Sequence, residues 1–92
     1  MAERERVKMV RLMKAKIIVM PKRTVLDPQG VTVRKALESM KFTGIKEVRV
    51  GKFMEIELED GDQAALKRKI DEACHKLLSN PVIEEYTFEI SH

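Results

Sequence analysis

Cysteine is almost absent from this chain: Cys74 is the single one, so no disulfide can form within it. That usage is typical of a reducing compartment. No apolar run approaches the ~20 residues of a membrane-spanning helix. The first residues also lack the apolar core of a secretion signal. We therefore expect a cytoplasmic protein that makes no membrane contact.

Aromatic residues are also scarce, with three phenylalanines and one tyrosine among 92 residues. The net charge of +3 is small, and many basic residues lie near the N-terminus, which is the usual composition of a solvated arm. Apolar residues make up 43%, enough for one core, and the length leaves no room for a second. We predict a flexible charged extension over residues 1–10 and a single domain over residues 11–92.

The most informative stretch is residues 48–60, which reads as two β-strands joined at Gly51 and Lys52. A glycine at the first loop position suits a type II′ turn, which needs a positive φ there. In the second strand, apolar and acidic residues alternate with a period of two, which separates them onto opposite faces. The apolar set is Met54, Ile56 and Leu58, and the acidic set is Glu55, Glu57 and Glu59.

Flanking patterns predict the remaining elements. We predict a central strand over 11–20 and a helix over 32–42, which is capped by Thr32 or begins a residue or two earlier in the preceding turn. We also predict a helix over 63–79 capped by Asp60 or Asp62, and a last strand over 82–90. Asp27, Pro28 and Gly30 suit the positions of a turn before the first helix. The apolar stripe of the second helix comprises Leu66, Ile70, Ala73 and Leu77, widened by Cys74 and Leu78.

The order β-α-β-β-α-β predicts an α+β fold, the ferredoxin-like sandwich. This architecture has a four-stranded antiparallel sheet with two helices on one face. The other face is expected to carry Lys14, Lys16, Ile18, Glu55, Glu57, Glu85 and Glu89. Glutamates cannot stack on bases and they repel phosphate, and Phe53 at the turn is the only aromatic candidate. The sequence therefore argues against RNA binding on this sheet.

Catalytic patterns are weak. Residues 29–34 resemble the phosphate loop of acylphosphatases, but the preceding glycine of that family is absent. The hairpin also lacks the asparagine that orients water, since Asn80 ends the second helix. Cys74 and His75 are adjacent on a helix and point about 100° apart, which does not suit a shared metal ion. We expect Cys74 to lie in the core. We expect Asp71 and His75 to form a pair on the surface.

Two functional classes remain. The mixed charges of the sheet face suit an interaction module that binds another protein or a second copy of the chain. Alternatively, the fold suits a small-ligand regulatory domain, because such domains bind amino acids at the loop after the first strand. That loop contains the D-P-Q-G stretch of residues 27–30.

Three stretches carry a specific resemblance. They are K-x-x-V-L-D-P-Q-G before the first helix, V-R-V-G-K-F-M-E-I-E-L in the predicted hairpin, and K-L-L-S-N-P-V-I-E-E-Y near the end. In this order and spacing they resemble the PurS family, the small subunits of phosphoribosylformylglycinamidine (FGAM) synthase. The resemblance covers about residues 14–90 and does not include the N-terminal extension.

The resemblance implies the β-α-β-β-α-β fold, a homodimer that sometimes associates further, and no catalytic, cofactor-binding or metal-binding residue in this chain. It implies partnership with a glutaminase subunit and a large synthetase subunit. Those partners form a ligase that uses ATP, Mg and glutamine in de novo purine biosynthesis. The small subunit would bridge the two partners and support ammonia transfer between them.

Two turns are the expected contact points with partners, because each has a defined geometry and an apolar or charged tip. The first comprises Leu26, Asp27, Pro28, Gln29 and Gly30. The second comprises Gly51, Lys52 and Phe53.

Overall fold

A computed structural model describes residues 11–92, so the predicted extension over residues 1–10 lies outside the described part. In chain order the elements are β1 (Leu12–Pro21), α1 (Pro28–Ser39), β2 (Lys52–Glu59), α2 (Gln63–Ala73) with a π-helical continuation (Cys74–Leu78), and β3 (Glu84–Ser91). The strands form an antiparallel sheet in the order β2-β1-β3. The α+β class is confirmed, but the sheet has three strands within residues 11–92 and not the predicted four.

Strand β1 lies at the centre because it can bury one face completely. Met13, Ala15, Ile17 and Val19 alternate along the strand and are all at most 1% exposed. Both neighbours align with β1 so that their apolar residues share this face: Ile17 is opposite Met54 of β2 and Phe88 of β3. A period of two in all three strands therefore builds one side of the core.

Helix α2 supplies the other side of the core. Leu66, Ile70 and Cys74 follow one another at intervals of four and are buried. Ile70 and Cys74 pack with Ala15, Ile17 and Val19 of β1. The helix begins at the cap residue Asp62, whose carboxylate accepts a hydrogen bond from the backbone N–H of Ala65 at 3.0 Å. This result confirms one of the two predicted caps.

The end of α2 differs from the prediction. Residues 74–78 form a π-helical turn, which rotates the last side chains relative to an α-helix. Leu77, expected in the apolar stripe, is 80% exposed, while Leu78 packs against the core. The backbone N–H and hydroxyl of Ser79 both donate to the carbonyl of Cys74 at 2.9 Å and close the turn.

The hairpin prediction at Gly51 and Lys52 is wrong. Lys52 is already the first residue of β2, and residues 45–50 do not pair with any strand. Among the glycines, all of which lie in the described part, a positive φ occurs at Gly44 alone, so Gly51 does not form a type II′ turn. Residues 46–50 instead lie along α1, which holds them away from the outer edge of β2.

Helix α1 begins four residues earlier than predicted. Asp27 is its cap and Pro28 its first residue, so the stretch expected to form a turn is the first turn of the helix. Thr32 is inside the helix, and its hydroxyl donates to the carbonyl of Pro28 at 2.9 Å. The prediction that both helices cover the sheet is also wrong, because Gly30 is the only buried residue of α1.

The apolar residues that recur at helical spacing in and just after α1 are mostly exposed to solvent in the single chain; they are Val33, Ala36, Leu37 and Met40, of which Leu37 is half-buried. Val33 is 37% exposed and Met40, just beyond the helix, is 65% exposed. The radius of gyration of 18.1 Å shows how far the helix projects, since a compact chain of this length would have roughly 12 Å. We call residues 28–50, which comprise α1 and the segment that returns along it, the arm.

Candidate partner-binding surface

Asp27 connects the two predicted contact stretches. One carboxylate oxygen accepts a hydrogen bond from the N–H of Gly30 at 3.0 Å, and the other accepts one from the N–H of Val50 at 2.9 Å. The hydrogen bond from Val50 lowers the pKa of the Asp27 carboxyl most, and the bond from Gly30 lowers it further, so this pKa lies below its usual value. The start of α1 and the residues before β2 are therefore fixed to each other.

Arg49 makes a second connection at the same place. Its guanidinium donates to the carbonyl of Pro21 at the end of β1 and to the carboxylate of Glu85 at 3.4 Å. It also lies 4.0 Å from the carboxylate of Glu47. The side chain is only 16% exposed, and these contacts place it against the end of β1 and the start of β3.

The turn before β3 completes this end of the molecule. The N–H of Lys22 donates to the carbonyl of Ile83 at 2.9 Å, and Lys52 Nζ lies 3.8 Å from a carboxylate oxygen of Glu84. We call the surface formed by residues 22–27, 47–52 and 80–84 the loop end. It contains parts of both predicted contact stretches, which are distant in sequence.

Large apolar side chains project from the loop end. Leu26 is 76% exposed, Val82 is 77% exposed and Ile83 is 43% exposed. A groove of about 400 Å³ opens between the loop of residues 21–27 and residues 47–49. Exposed apolar groups beside a groove, on backbone that is held by hydrogen bonds, are typical of a surface that contacts another protein.

The predicted contact residues do not all have the same role. Leu26, Pro28, Gln29, Gly51, Lys52 and Phe53 are exposed, Asp27 is half-buried and Gly30 is buried. Gly30 packs so closely on the segment that returns along α1 that a Cβ there would lie 2.1 Å from the carbonyl oxygen of Val48. In the single chain, Asp27 and Gly30 thus hold the fold, and the exposed residues remain available for contacts.

Phe53 lies on the outer face of the sheet, the face away from α2. It stands opposite Ile18, which is 46% exposed, and next to Thr87 across β1. Further along this face the register places Lys14 opposite Glu57 and Lys16 opposite both Glu55 and Glu89. These charged residues share one face of the sheet, as the sequence predicted. The central lysines offset the flanking acids, and Lys14 Nζ lies 3.2 Å from Glu55.

The residues with catalytic potential are engaged in structure. Cys74 is fully buried, and burial raises the pKa of its thiol, which disfavours the reactive thiolate. The carboxylate of Asp71 accepts the hydroxyl of Tyr86 at 2.7 Å, which joins α2 to β3 and raises the pKa of Tyr86. The predicted surface pair of Asp71 with His75 is not among the contacts of the described residues.

Residues 11–92 contain no group of three or more acidic, histidine or cysteine side chains that could hold a metal ion. In the same residues, no helix is both long and apolar enough to cross a membrane.

Sequence reasoning missed three residues of the loop end. Arg49 stands between two valines in a strand-like pattern, and no local signal distinguishes it from a solvated charge. Val82 and Ile83 were placed in the last strand, which begins only at Glu84. The preceding Asn80 and Pro81 are turn residues and were the available signal, because Asn80 accepts from the N–H groups of Ile83 and Glu84.

The chain is a small α+β domain with a buried thiol, a charge-compensated sheet face and a loop end with exposed apolar side chains. The sequence model of the PurS family, described as phosphoribosylformylglycinamidine (FGAM) synthase, matches residues 14–92. PurS of Bacillus subtilis is 46% identical over 77 residues, which cover 84% of this chain and 90% of that protein. The chain belongs to the PurS family of FGAM synthase subunits.

Solved structures agree with this assignment. The B. subtilis PurS structure matches with a TM-score of 0.79 and 44% identity, covering 87% of this chain and 99% of that one. PurS of Methanocaldococcus jannaschii, described as a subunit of formylglycinamide ribonucleotide amidotransferase in the purine biosynthetic pathway, matches with a TM-score of 0.74 and 35% identity, covering 86% and 95%. A chain in the PurLQS structure of Thermotoga maritima matches with a TM-score of 0.77 and 34% identity, covering 87% and 98%.

These comparisons do not favour the alternative of a ligand-binding regulatory domain. The groove does adjoin the D-P-Q-G stretch, as that alternative requires. However, both carboxylate oxygens of Asp27 already accept backbone N–H groups of this chain. Arg49 is likewise engaged by Glu47 and Glu85.

Proposed function

We propose that this chain is the small, non-catalytic subunit of FGAM synthase and acts in de novo purine biosynthesis in the cytoplasm. In this proposal a glutaminase subunit and a large synthetase subunit perform the chemistry and use glutamine, ATP and Mg. Membership of the PurS family supports the role. The fold shared with a chain of the T. maritima PurLQS structure supports assembly with such partners.

The loop end is the surface that we assign to these partners, and it carries the proposal. Residues 22–27, 47–52 and 80–84 converge there although they are far apart in sequence, and hydrogen bonds through Asp27 and Arg49 hold them in place. A preorganised surface loses little conformational entropy on binding. Leu26 and Val82 supply exposed apolar area for a partner to bury.

In this proposal the subunit positions the glutaminase and the synthetase relative to each other. Ammonia released by the glutaminase would be protonated and lost in bulk water before it reached a distant synthetase site. A rigid subunit that holds the two enzymes in a fixed relation raises the efficiency of transfer without any chemistry of its own. We also propose that the chain self-associates, because the apolar stripe of the arm is exposed in the single chain.

The test is a binding measurement with purified glutaminase and synthetase subunits, in the presence of glutamine and ATP. Leu26→Asp places a charge on the apolar loop end, and Lys52→Glu reverses the charge at its edge. The matched control is Lys67→Glu, a charge reversal at an exposed position of α2. We expect both loop-end variants to weaken assembly at least tenfold and the control to leave it unchanged. If both loop-end variants fold and assemble as well as the unmodified chain, the loop end is not the surface that binds these partners.

A further inference from the structure

No helix of the described part packs on the outer face of the sheet. Helix α2 lies on the inner face, where Ile70 and Cys74 pack with β1. On the outer face the side chains of β2 are all exposed, and those of β1 from Leu12 to Lys16 are half-buried. An antiparallel sheet can leave one face open, so the charges on that face decide what it attracts.

The charges of the outer face are incompletely compensated where β1 begins. This part of the face carries two lysines and four glutamates, which are Lys14, Lys16, Glu55, Glu57, Glu59 and Glu89. Within the described part, the one ion pair among these six side chains joins Lys14 to Glu55 at 3.2 Å. Two bases against four acids leave this part of the face with a net charge of −2.

The first residues of the chain attach beside these acids. The carbonyl of Arg11 accepts the N–H of Asp60 at 2.9 Å, directly after Glu59 at the end of β2. Residues 1–10 therefore leave the domain next to the uncompensated part of the face. They also precede the match to the family model, which begins at residue 14, so the shared fold assigns them no position.

The sequence of residues 1–10 complements the charge of the face. Three basic residues alternate there with two acidic ones, in the order Glu3, Arg4, Glu5, Arg6, followed by Lys8. The basic residues thus recur with a period of two, as do the glutamates of β2. In two extended segments both sets of side chains would be spaced by ~6.6 Å. Each base can then meet one acid, and opposite charges that face each other stabilise such a contact.

The length of the segment also suits this contact. Glu55 lies opposite Lys16, four residues along β1 from Leu12, which is about 13 Å at ~3.3 Å per residue. Ten residues span at most roughly 33–36 Å. They can therefore reverse direction beside Arg11 and still pass all three glutamates of β2. In that direction the order agrees as well, since Lys8 would come first, nearest the end of β2.

We propose that residues 1–10 bind the outer face of the sheet in their own chain, with their three basic side chains beside the three glutamates of β2. Single exposed ion pairs are weak. The segment is tethered to the face through Arg11, however, and a short tether gives an effective concentration on the order of millimolar. The extension covers the acidic part of the face and leaves Ile18 and Phe53 uncovered. Basic surfaces of other proteins are then no longer attracted to this face, which directs partner contacts to the loop end.

Cross-linking of the full-length chain with a carbodiimide tests this contact, because the reagent joins a lysine amine to a carboxylate that it touches. Lys14 and Glu55 provide an internal positive control. We expect a link from Lys8 to Glu57 or Glu59 within one chain. Isotope-labelled and unlabelled chains are mixed beforehand, so that a link between chains has a mixed mass. A Lys8 link that is absent while the control link forms, or that has mixed mass only, would overturn the proposal.

A double substitution provides a second readout. Arg4→Gln with Arg6→Gln removes two of the three basic side chains and keeps Lys8 as the reporter. We expect the yield of the Lys8 link to fall about tenfold, because the remaining ion pair is weak alone. Lys67→Gln with Arg68→Gln is the matched control, since it removes the same charge from exposed positions of α2. Equal yields from the two variants would exclude the contact. No partner subunit is present, so these outcomes are separate from the test of the loop end.

Discussion

The carboxylate of Asp27 accepts the backbone N–H of Val50 at 2.9 Å while it caps α1 through the N–H of Gly30. One side chain therefore fixes both the start of the helix and the segment that precedes β2. The arm keeps its course because of this double contact. Its orientation in turn decides which surfaces the chain presents to partners.

Removal of this carboxylate should loosen the arm. We expect Asp27→Ala to lower the melting temperature by roughly 4–8 °C, since a lost helix cap typically has an effect of that size on a small domain. Asp62→Ala is the matched control, because it removes the cap of α2 without a contact to the arm. Amide exchange of Val50 should accelerate in the first variant and not in the second. An unchanged Val50 amide in Asp27→Ala would contradict the double role.

The same contact predicts a dependence on pH. Hydrogen bonds from Val50 and Gly30 lower the pKa of Asp27 in the folded chain below the ordinary 3.8. The contribution of the carboxylate is therefore complete above the unfolded pKa and is lost as the pH falls through the folded one. As the pH falls below the ordinary value of 3.8, thermal unfolding should show a steeper loss of stability for the unmodified chain than for Asp27→Asn. Parallel pH profiles would exclude this linkage.

Close packing of the arm predicts an effect at Gly30. A methyl group there would meet the carbonyl oxygen of Val48 at 2.1 Å, so the helix and the segment would have to separate. We expect Gly30→Ala to destabilise the chain by about 1–3 kcal/mol, the usual range for overpacking. Gly61→Ala is the control, because no atom lies within 4 Å of the added Cβ. Urea unfolding compares the two, and equal midpoints would contradict the contact.

The two faces of β1 predict costs of different size for the same substitution. Ile17 is fully buried against α2, whereas its neighbour Ile18 is 46% exposed on the outer face. Ile17→Ala should cost about 2–5 kcal/mol in the free energy of unfolding, and Ile18→Ala less than about 1 kcal/mol. Equilibrium urea denaturation measures both values. A comparable cost at the two positions would mean that the outer face is covered in solution.

Elements whose secondary structure depends on neighbouring residues alone were predictable from the sequence. The alternation in β1 and β3, the stripe of Leu66 and Ile70 in α2 and the cap at Asp62 all follow from periodicity and side-chain chemistry. The placement of Lys14, Lys16 and the flanking glutamates on one face also follows, because side chains alternate between the two faces along a strand. These features need no information about distant parts of the chain.

The prediction of the hairpin was wrong because strand pairing depends on residues that are distant in the sequence. Residues 45–50 have the composition of a strand, yet their edge contacts are decided by Arg34, Gly30 and Asp27 on a helix that lies earlier in the chain. The start of α1 was misplaced for a related reason. Asp27 followed by Pro28 suits a turn and equally suits a cap followed by the first helical residue, and only the tertiary structure separates the two.

The candidate site was predictable in part. Leu26 and Lys52 were identified from turn signals and are exposed, whereas Arg49, Val82 and Ile83 join them at the loop end only through the fold. Their convergence depends on the contacts of Arg49 with Pro21 and Glu85, and no sequence pattern predicts these contacts.

Reconstitution of the synthase from purified glutaminase and synthetase, with and without this chain, tests the account most directly. Product formation is measured once with glutamine and once with ammonia as the nitrogen source. The account predicts that omission of the chain, or its replacement by Leu26→Asp, lowers the glutamine-dependent rate at least tenfold and leaves the ammonia-dependent rate within about twofold. A glutamine-dependent rate that is the same with and without the chain would contradict the role assigned to it.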